Sequence, residues 1–227
     1  DELLPLVRVA EALAQKYDTV CTNPPYLGSA RMSTKLQSYI TANYLDAKAD
    51  LSSVMLSGSV ENLSKNNGFI SFITTNSWMY LKSFQKFRIR MLRHLSFTSI
   101  VDYGTELFEG KIGHLPIIAW VCRNTKVHQN FCAVRLVDYR YGKRDEKYSE
   151  FYQDRNRYCA NQNEFFSIDG APVIYWFSEK AVATFTQNKI GDFAEIVSGM
   201  TTGDNDKYLR MWFEPADKKI SIGETDI

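Results

Sequence analysis

The sequence has no glycine before Gly28, no Cys-x-x-Cys pair, no close histidine spacing and no apolar run long enough to cross a bilayer. Each absence closes a class of readings. Cys21, Cys122, Cys132 and Cys159 are scattered, as are His94, His114 and His128, so no zinc-ligand pattern exists. Cys21 and Cys122 fall inside apolar strand-like runs and read as buried, reduced thiols, which implies a reducing, cytoplasmic setting. The opening stretch "DELLPLVRVAEALAQKYD" starts acidic and turns amphipathic, unlike a signal peptide. Neither sign of charge dominates: the net charge is +1, so any grip on nucleic acid must come from a local basic face. No internal repeat or low-complexity tract is present. The 227 residues are 44% hydrophobic and 23% charged, as in an ordinary globular chain.

What is present is a regular succession of elements. Residues 2–16 carry Leu3, Leu6, Val7, Ala10, Leu13 and Ala14 on one helical face, with Pro5 in the first turn. "YDTVCTN" reads as a first strand. "STKLQSYITANY" has helical spacing behind a Ser33/Thr34 cap. Asp50 caps a second helix, "LSSVMLSGSVENLSKNN", in which Leu51, Val54, Met55, Gly58 and Leu63 can face a core and Asn67-Gly68 forms the stop. "GFISFITTNSW" is a continuous apolar strand of the kind buried on both faces.

"LKSFQKFRIRMLRHL" is a basic amphipathic helix, and "FTSIVDYG" and "LPIIAWVCRN" are two further strands. Only Thr105–His114 joins those two strands, too little for a parallel crossover of about a dozen residues or more, so they pair antiparallel. The order predicts the C-terminal half of a doubly wound α/β sheet with an antiparallel hairpin at one side, over residues 1–128. From 129 to 190 a connector follows. In it "FCAVRLVDYRY" alternates like an edge strand, "GKRDEKYSEFYQDRNRY" reads as a charged, exposed stretch and "GAPVIYWFSEKAVATF" as a short aromatic helix. Residues 191–227 start something new, marked by Gly and Asn turns.

The stretch that carries chemistry is "YDTVCTNPPY". Ligands of open α/β sheets bind beyond the carboxyl ends of the strands, and Asn23-Pro24-Pro25-Tyr26 sits at such an end. Two prolines fix the backbone and remove two donors. What remains is a stiff loop of acceptors, the Asn23 side-chain oxygen and the carbonyls of Asn23 and Pro24, beside the flat face of Tyr26. Such a loop suits an amine with two N–H donors on an aromatic ring, such as N6 of adenine, made nucleophilic by positioning and electrostatics rather than by a metal. In a duplex that amine is hidden, so the base has to be flipped out. The bland alternative is that these four residues are only a turn.

"TNPPY" after an apolar strand resembles motif IV of the N6-adenine DNA methyltransferases. The likeness runs on through "DLSSVMLSGSVENLSKNNGFISFITTNSWM" and "FQKFRIRMLRHLSFTSIVDYGTELFEG". With "APVIYW" (171–176) and "TTGDNDKYLRMW" it is most similar to the large PglX-type methyltransferases of BREX phage-defence systems. The resemblance implies a Rossmann-like class I methyltransferase sheet and S-adenosylmethionine as methyl donor. It also implies double-stranded DNA as partner and further defence-system proteins beside it. By position, Asn23 and the Pro24 carbonyl would hold the target amine, Pro25 would shape the loop, and Tyr26 and Phe108 would sandwich the base. Met55 would lie against the cofactor's adenine, or equally be a core residue. Thr202, Gly203, Asn205 and Lys207 would touch DNA at the opening of a target-recognition domain. The basic helix 82–94, with Lys82, Lys86, Arg88, Arg90 and Arg93, could meet phosphates but reads better as a solvated face.

These enzymes also need a glycine-rich loop before the catalytic motif, and the twenty-two residues ahead of Asn23 contain no glycine. The expectation is therefore a fragment that lacks the main cofactor site, is inactive alone, and self-associates through the exposed edge of the strand ending at Thr22. The competing readings are a non-catalytic DNA-binding module, or a methyltransferase acting on RNA or protein amines.

Overall fold

In the computed structural model the described residues are 3–108, 113–140, 142–185, 188 and 190–195. Thr202, Gly203, Asn205 and Lys207 lie outside them. The chain forms two compact units, residues 1–187 and 188–227. In the second, the described residues form a 3₁₀ turn at Ile190–Asp192.

The first unit is built on a six-stranded sheet among the described residues, flanked by helices. The chain order is α1 (Leu3–Ala14), β1 (Tyr17–Thr22), α2 (Thr34–Asn43), α3 (Leu51–Gly58), β2 (Ser64–Thr75), α4 (Gln85–His94), β3 (Ser96–Gly104) and β4 (Ile117–Arg123). Then come β5 (Asn130–Arg135), α5 (Glu146–Glu150), β6 (Arg157–Asn161) and α6 (Glu179–Thr184). The strands lie in the order β1-β2-β4-β3-β5-β6. β1 and β2 are parallel, as are β3 and β5, while β4 runs against both β2 and β3. The carboxyl ends of β1, β2, β3 and β5 therefore share one edge of the sheet.

Capping follows the sequence. Ser33 accepts from the Leu36 N–H to start α2, and Asp50 accepts from the Ser52 N–H to start α3. The core is aromatic. Phe72 stacks on Trp120 with ring centroids 5.7 Å apart, and Trp78 stacks on Phe97 at 6.0 Å. A buried indole needs a partner for its N–H. One hydroxyl serves two of them: Thr74 Oγ1 accepts from Trp78 Nε1 at 3.2 Å and from Trp120 Nε1 at 3.1 Å.

Several expectations are corrected. The antiparallel hairpin forms, but it is not at the side of the sheet, because β4 inserts between β2 and β3. Ile117, Ile118, Trp120 and Cys122 are buried, and that strand needs neighbours on both edges. β5 is likewise no edge strand: it lies between β3 and β6, so the sheet continues past residue 128. The charged stretch after it is not merely exposed, since it forms α5 and enters β6, and Lys147 is 5% exposed.

The helix expected over 51–67 ends in a π-helical turn at Ser59–Leu63. Asn67-Gly68 then makes a bulge in β2, where the register to β1 jumps from Tyr17↔Ser64 to Thr19↔Phe69. A Cβ on Gly68 would lie 3.0 Å from the Lys65 carbonyl and 3.1 Å from the Asp18 carbonyl, tighter than an ordinary contact, so a larger residue would have to push the two strands apart by a few tenths of an ångström. The "GAPVIYW" stretch is not helical: Val173, Ile174 and Tyr175 pack into the core in irregular backbone, and α6 starts behind a Ser178 cap. Cys21 is exposed rather than buried; Cys122 is buried, and all four thiols are free.

The basic helix is divided in purpose. Arg88 is 2% exposed and donates to the carbonyls of Trp78, Leu81, Gly170 and Ala171. Arg90 pairs with Asp46 and donates to Ser57 Oγ at 2.5 Å. Lys82, Lys86 and Arg93 stay exposed.

Candidate active site

The Asn-Pro-Pro-Tyr loop leaves the end of β1 at the shared carboxyl edge. Asn23 and Pro25 are exposed, Pro24 is buried and Tyr26 is half-buried. The Tyr26 hydroxyl donates to Asn23 Oδ1 at 2.7 Å and lies 3.3 Å from the Ile73 carbonyl of β2. Burial, and then the Asp50 carboxylate, push the Tyr26 phenol above its ordinary pKa, so it stays a neutral donor at physiological pH. In that bond the Asn23 amide oxygen is the acceptor. An amide oxygen has two acceptor positions, so one remains open to an incoming donor.

The far side of the loop is pinned too. The Leu51 N–H donates to the Leu27 carbonyl at 2.9 Å, and the Ser29 N–H to the Ala49 carbonyl at 3.0 Å. Gly28 and Asp50 form an isolated antiparallel bridge between those bonds. The loop is thus held at β2 on one side and at the N-terminus of α3 on the other. It has little freedom to lose when a ligand binds.

Phe108 lies half-buried on the connection between β3 and β4, which starts from the same carboxyl edge. Met55 stands on α3, one turn beyond the pinned N-terminus, and is 38% exposed. A core role for Met55 is therefore corrected; its side chain is open to solvent. No group of three or more His, Cys, Asp or Glu side chains fit to hold a metal exists among the described residues.

A second polar cluster at this edge had no clear sequence signal beyond an acid inside an apolar strand. Asp102 of β3 is 2% exposed. Its Oδ1 accepts from the Gly104 N–H at 3.2 Å and its Oδ2 from the Tyr175 hydroxyl at 3.1 Å. Burial raises its pKa, and the Gly104 N–H, Tyr175, Arg135 and Asn76 pull it partly back. Asp102, Asn76, Tyr80, Arg135, Arg140 and Trp176 line a cavity of about 260 Å³.

Residues 6–108 match the model of the Eco57I restriction-modification methylase family. That span runs from α1 through the Asn-Pro-Pro-Tyr loop to Phe108.

The likeness extends past this segment. The chain is 33% identical, over 99% of its length, to the adenine-specific methyltransferase PglX of Lacticaseibacillus casei (strain Zhang), and covers 19% of that protein. It is 31% identical, again over 99% of its length, to the adenine-specific methyltransferase BrxX of Escherichia coli O9:H4 (strain HS), covering 18% of it. The resemblance to PglX-type methyltransferases drawn from the sequence is borne out, and the chain spans about a fifth of the length of these relatives. Among solved structures, a type I restriction-modification assembly matches with a TM-score of 0.54 at 10% identity, over 76% of this chain and 39% of that one. The DrdV–DNA complex matches with a TM-score of 0.52 at 16% identity, over 77% of this chain and 20% of that one. These likenesses show the fold alone: a mixed α/β sheet shared with part of each of those structures.

Proposed function

We propose that the full-length protein carrying this chain methylates N6 of an adenine flipped out of double-stranded DNA, as part of a phage-defence or restriction-modification system. The observation that carries this reading is the doubly pinned Asn23–Tyr26 loop at the carboxyl edge, with one open acceptor position on Asn23 Oδ1. The adenine-specific methyltransferases that share the whole length of this chain support it.

In this reading the Asn23 side-chain oxygen and the Pro24 carbonyl accept the two N6 hydrogens. Both bonds draw the amine away from the plane of the ring and free its lone pair. Tyr26 presents its ring to one face of the base, its hydroxyl already satisfied by Asn23. Phe108 covers the other face. Base–aromatic stacking of this kind is worth about 1–3 kcal/mol per base. S-adenosylmethionine supplies the electrophilic methyl group. Among the described residues Met55 offers it an exposed apolar face. No further cofactor contact is assigned.

The test uses the full-length protein. Asn23→Ala should lower methylation by about 100- to 1,000-fold, the usual cost of one preorganised polar group, while DNA binding persists. Loss of DNA binding together with methylation would sink the catalytic role and favour a structural one. Methyl transfer to RNA or peptide amines, with duplex DNA inert, would overturn the choice of substrate.

A further inference from the structure

Lysine is rarely buried without a partner. Lys147 of α5 is 5% exposed, and its two partners are backbone groups at the root of the Phe108 loop. Its ammonium donates to the Tyr103 carbonyl at 2.6 Å and to the Thr105 carbonyl. Those two carbonyls flank Gly104, whose φ of 64° puts it in the left-handed region, and Glu106 follows with φ 64° as well. The Glu106 N–H donates to the Gly113 carbonyl at 2.6 Å and closes the root. The Gly142 N–H, a few residues before α5, donates to the Glu106 carboxylate at 3.3 Å. Leu107, just before Phe108, lines a cavity of about 440 Å³ with Tyr103, Lys147, Tyr148, Phe151 and Tyr152. Burial lowers the Lys147 pKa, and the Glu106 and Asp102 carboxylates oppose that shift.

We infer that Lys147 is a positioning residue: it sets the path by which the chain leaves β3, and so places Phe108 against the target base. This rests on the methyltransferase reading above. A single ammonium ties together the two peptide units on either side of Gly104, in a stretch where Gly104 and Glu106 are both left-handed. The clamp comes from the charged segment after β5, so that segment serves the site and is more than a connector.

The experiment compares Lys147→Met, Lys147→Arg and Phe108→Ala in the full-length protein. Its methylation site is first mapped by modification-sensitive sequencing of host DNA. Two readouts are taken on duplexes carrying that site: kcat and KM for methylation, and the fluorescence of 2-aminopurine in place of the target adenine. Lys147→Met should lower kcat about 10- to 100-fold, as expected for a sub-ångström to ångström misplacement of a contact group, with KM for DNA little changed. Its 2-aminopurine signal should shift in the same direction as that of Phe108→Ala. Lys147→Arg, which can also donate to two carbonyls, should recover part of both.

Wild-type kcat and fluorescence in Lys147→Met would overturn the inference while Phe108→Ala remains impaired. A Phe108→Ala enzyme of full activity would instead overturn the base-stacking reading, and this inference with it. Should Lys147→Met not fold, Glu106→Ala decides in its place. It removes the carboxylate bound by Gly142 and should show a smaller loss in the same direction; unchanged kcat and fluorescence there would overturn the proposal.

Discussion

Replacing Thr74 with valine is the cleanest probe of the core beneath the candidate site. Valine has the same shape as threonine, so no cavity opens and no backbone need move. What is lost is one oxygen, and with it the acceptor of two indole N–H groups, Trp78 Nε1 and Trp120 Nε1. Both rings are buried, at 4% and 1% exposure, so water does not replace it. A buried donor left without a partner costs about 1–3 kcal/mol. Two such donors, less the gain of about 0.8 kcal/mol from burying a methyl group, give an expected loss of about 1–5 kcal/mol. The assay is urea unfolding followed by tryptophan emission, which reads the two affected rings directly. The same substitution in a Trp120→Phe background should cost about half as much, because one donor is already gone. A loss below about 1 kcal/mol, or an equal loss in both backgrounds, would refute the reasoning.

Asp102→Asn tests the buried carboxylate. Burial raises its folded pKa above the ordinary 3.8, so between those values the folded chain binds the proton more tightly than the unfolded one. Stability from this group therefore falls as pH rises through that window, and Asp102→Asn should gain on the wild type from pH 4 upward; parallel urea profiles for the two would contradict this. Gly104→Ala should cost about 2–4 kcal/mol, since φ is 64° and a Cβ would lie 2.8 Å from the Val137 Cα; a thermal midpoint equal to wild type would rule it out. Isolated residues 1–227 should self-associate through the free edge of β1 and the exposed Leu3, Leu6 and Leu13 of α1, and a concentration-independent monomer in the ultracentrifuge would count against this.

The strands were legible wherever the sequence is continuously apolar. "FISFIT", "SIVDYG" and "IIAWVC" are all strands with one face buried and the other largely half-buried, Phe69 being exposed, and the short Thr105–His114 link fixed one pair as antiparallel. Their neighbours in space were not legible. Inserting β4 beside β2 is a tertiary choice that leaves no local trace. β6, "RYCAN", is polar and held chiefly by backbone bonds to β5, so no hydrophobic pattern announces it, and without it β5 reads as an edge. The Asn-Pro-Pro-Tyr loop was visible because rare residue types meet at a strand end. Lys147 was invisible for the opposite reason: inside a run of mixed charges nothing distinguishes the one lysine that folds inward onto two carbonyls. Phe108 and Met55 were singled out by family resemblance alone.

The place of β4 also sets an order of assembly. The β3–β4 hairpin closes between Gly104 and Ile117, a short loop with a small entropy to overcome, and is the natural first piece. β2 then docks on β4 across a far longer stretch of chain, and β1 is added last, to a single partner, through pairs such as Thr22↔Phe72. Opening runs the other way. Amide exchange should therefore be fastest in β1 and slowest in the hairpin, so that in each local opening the strand end bearing Asn23 is released while the root of Phe108 stays folded.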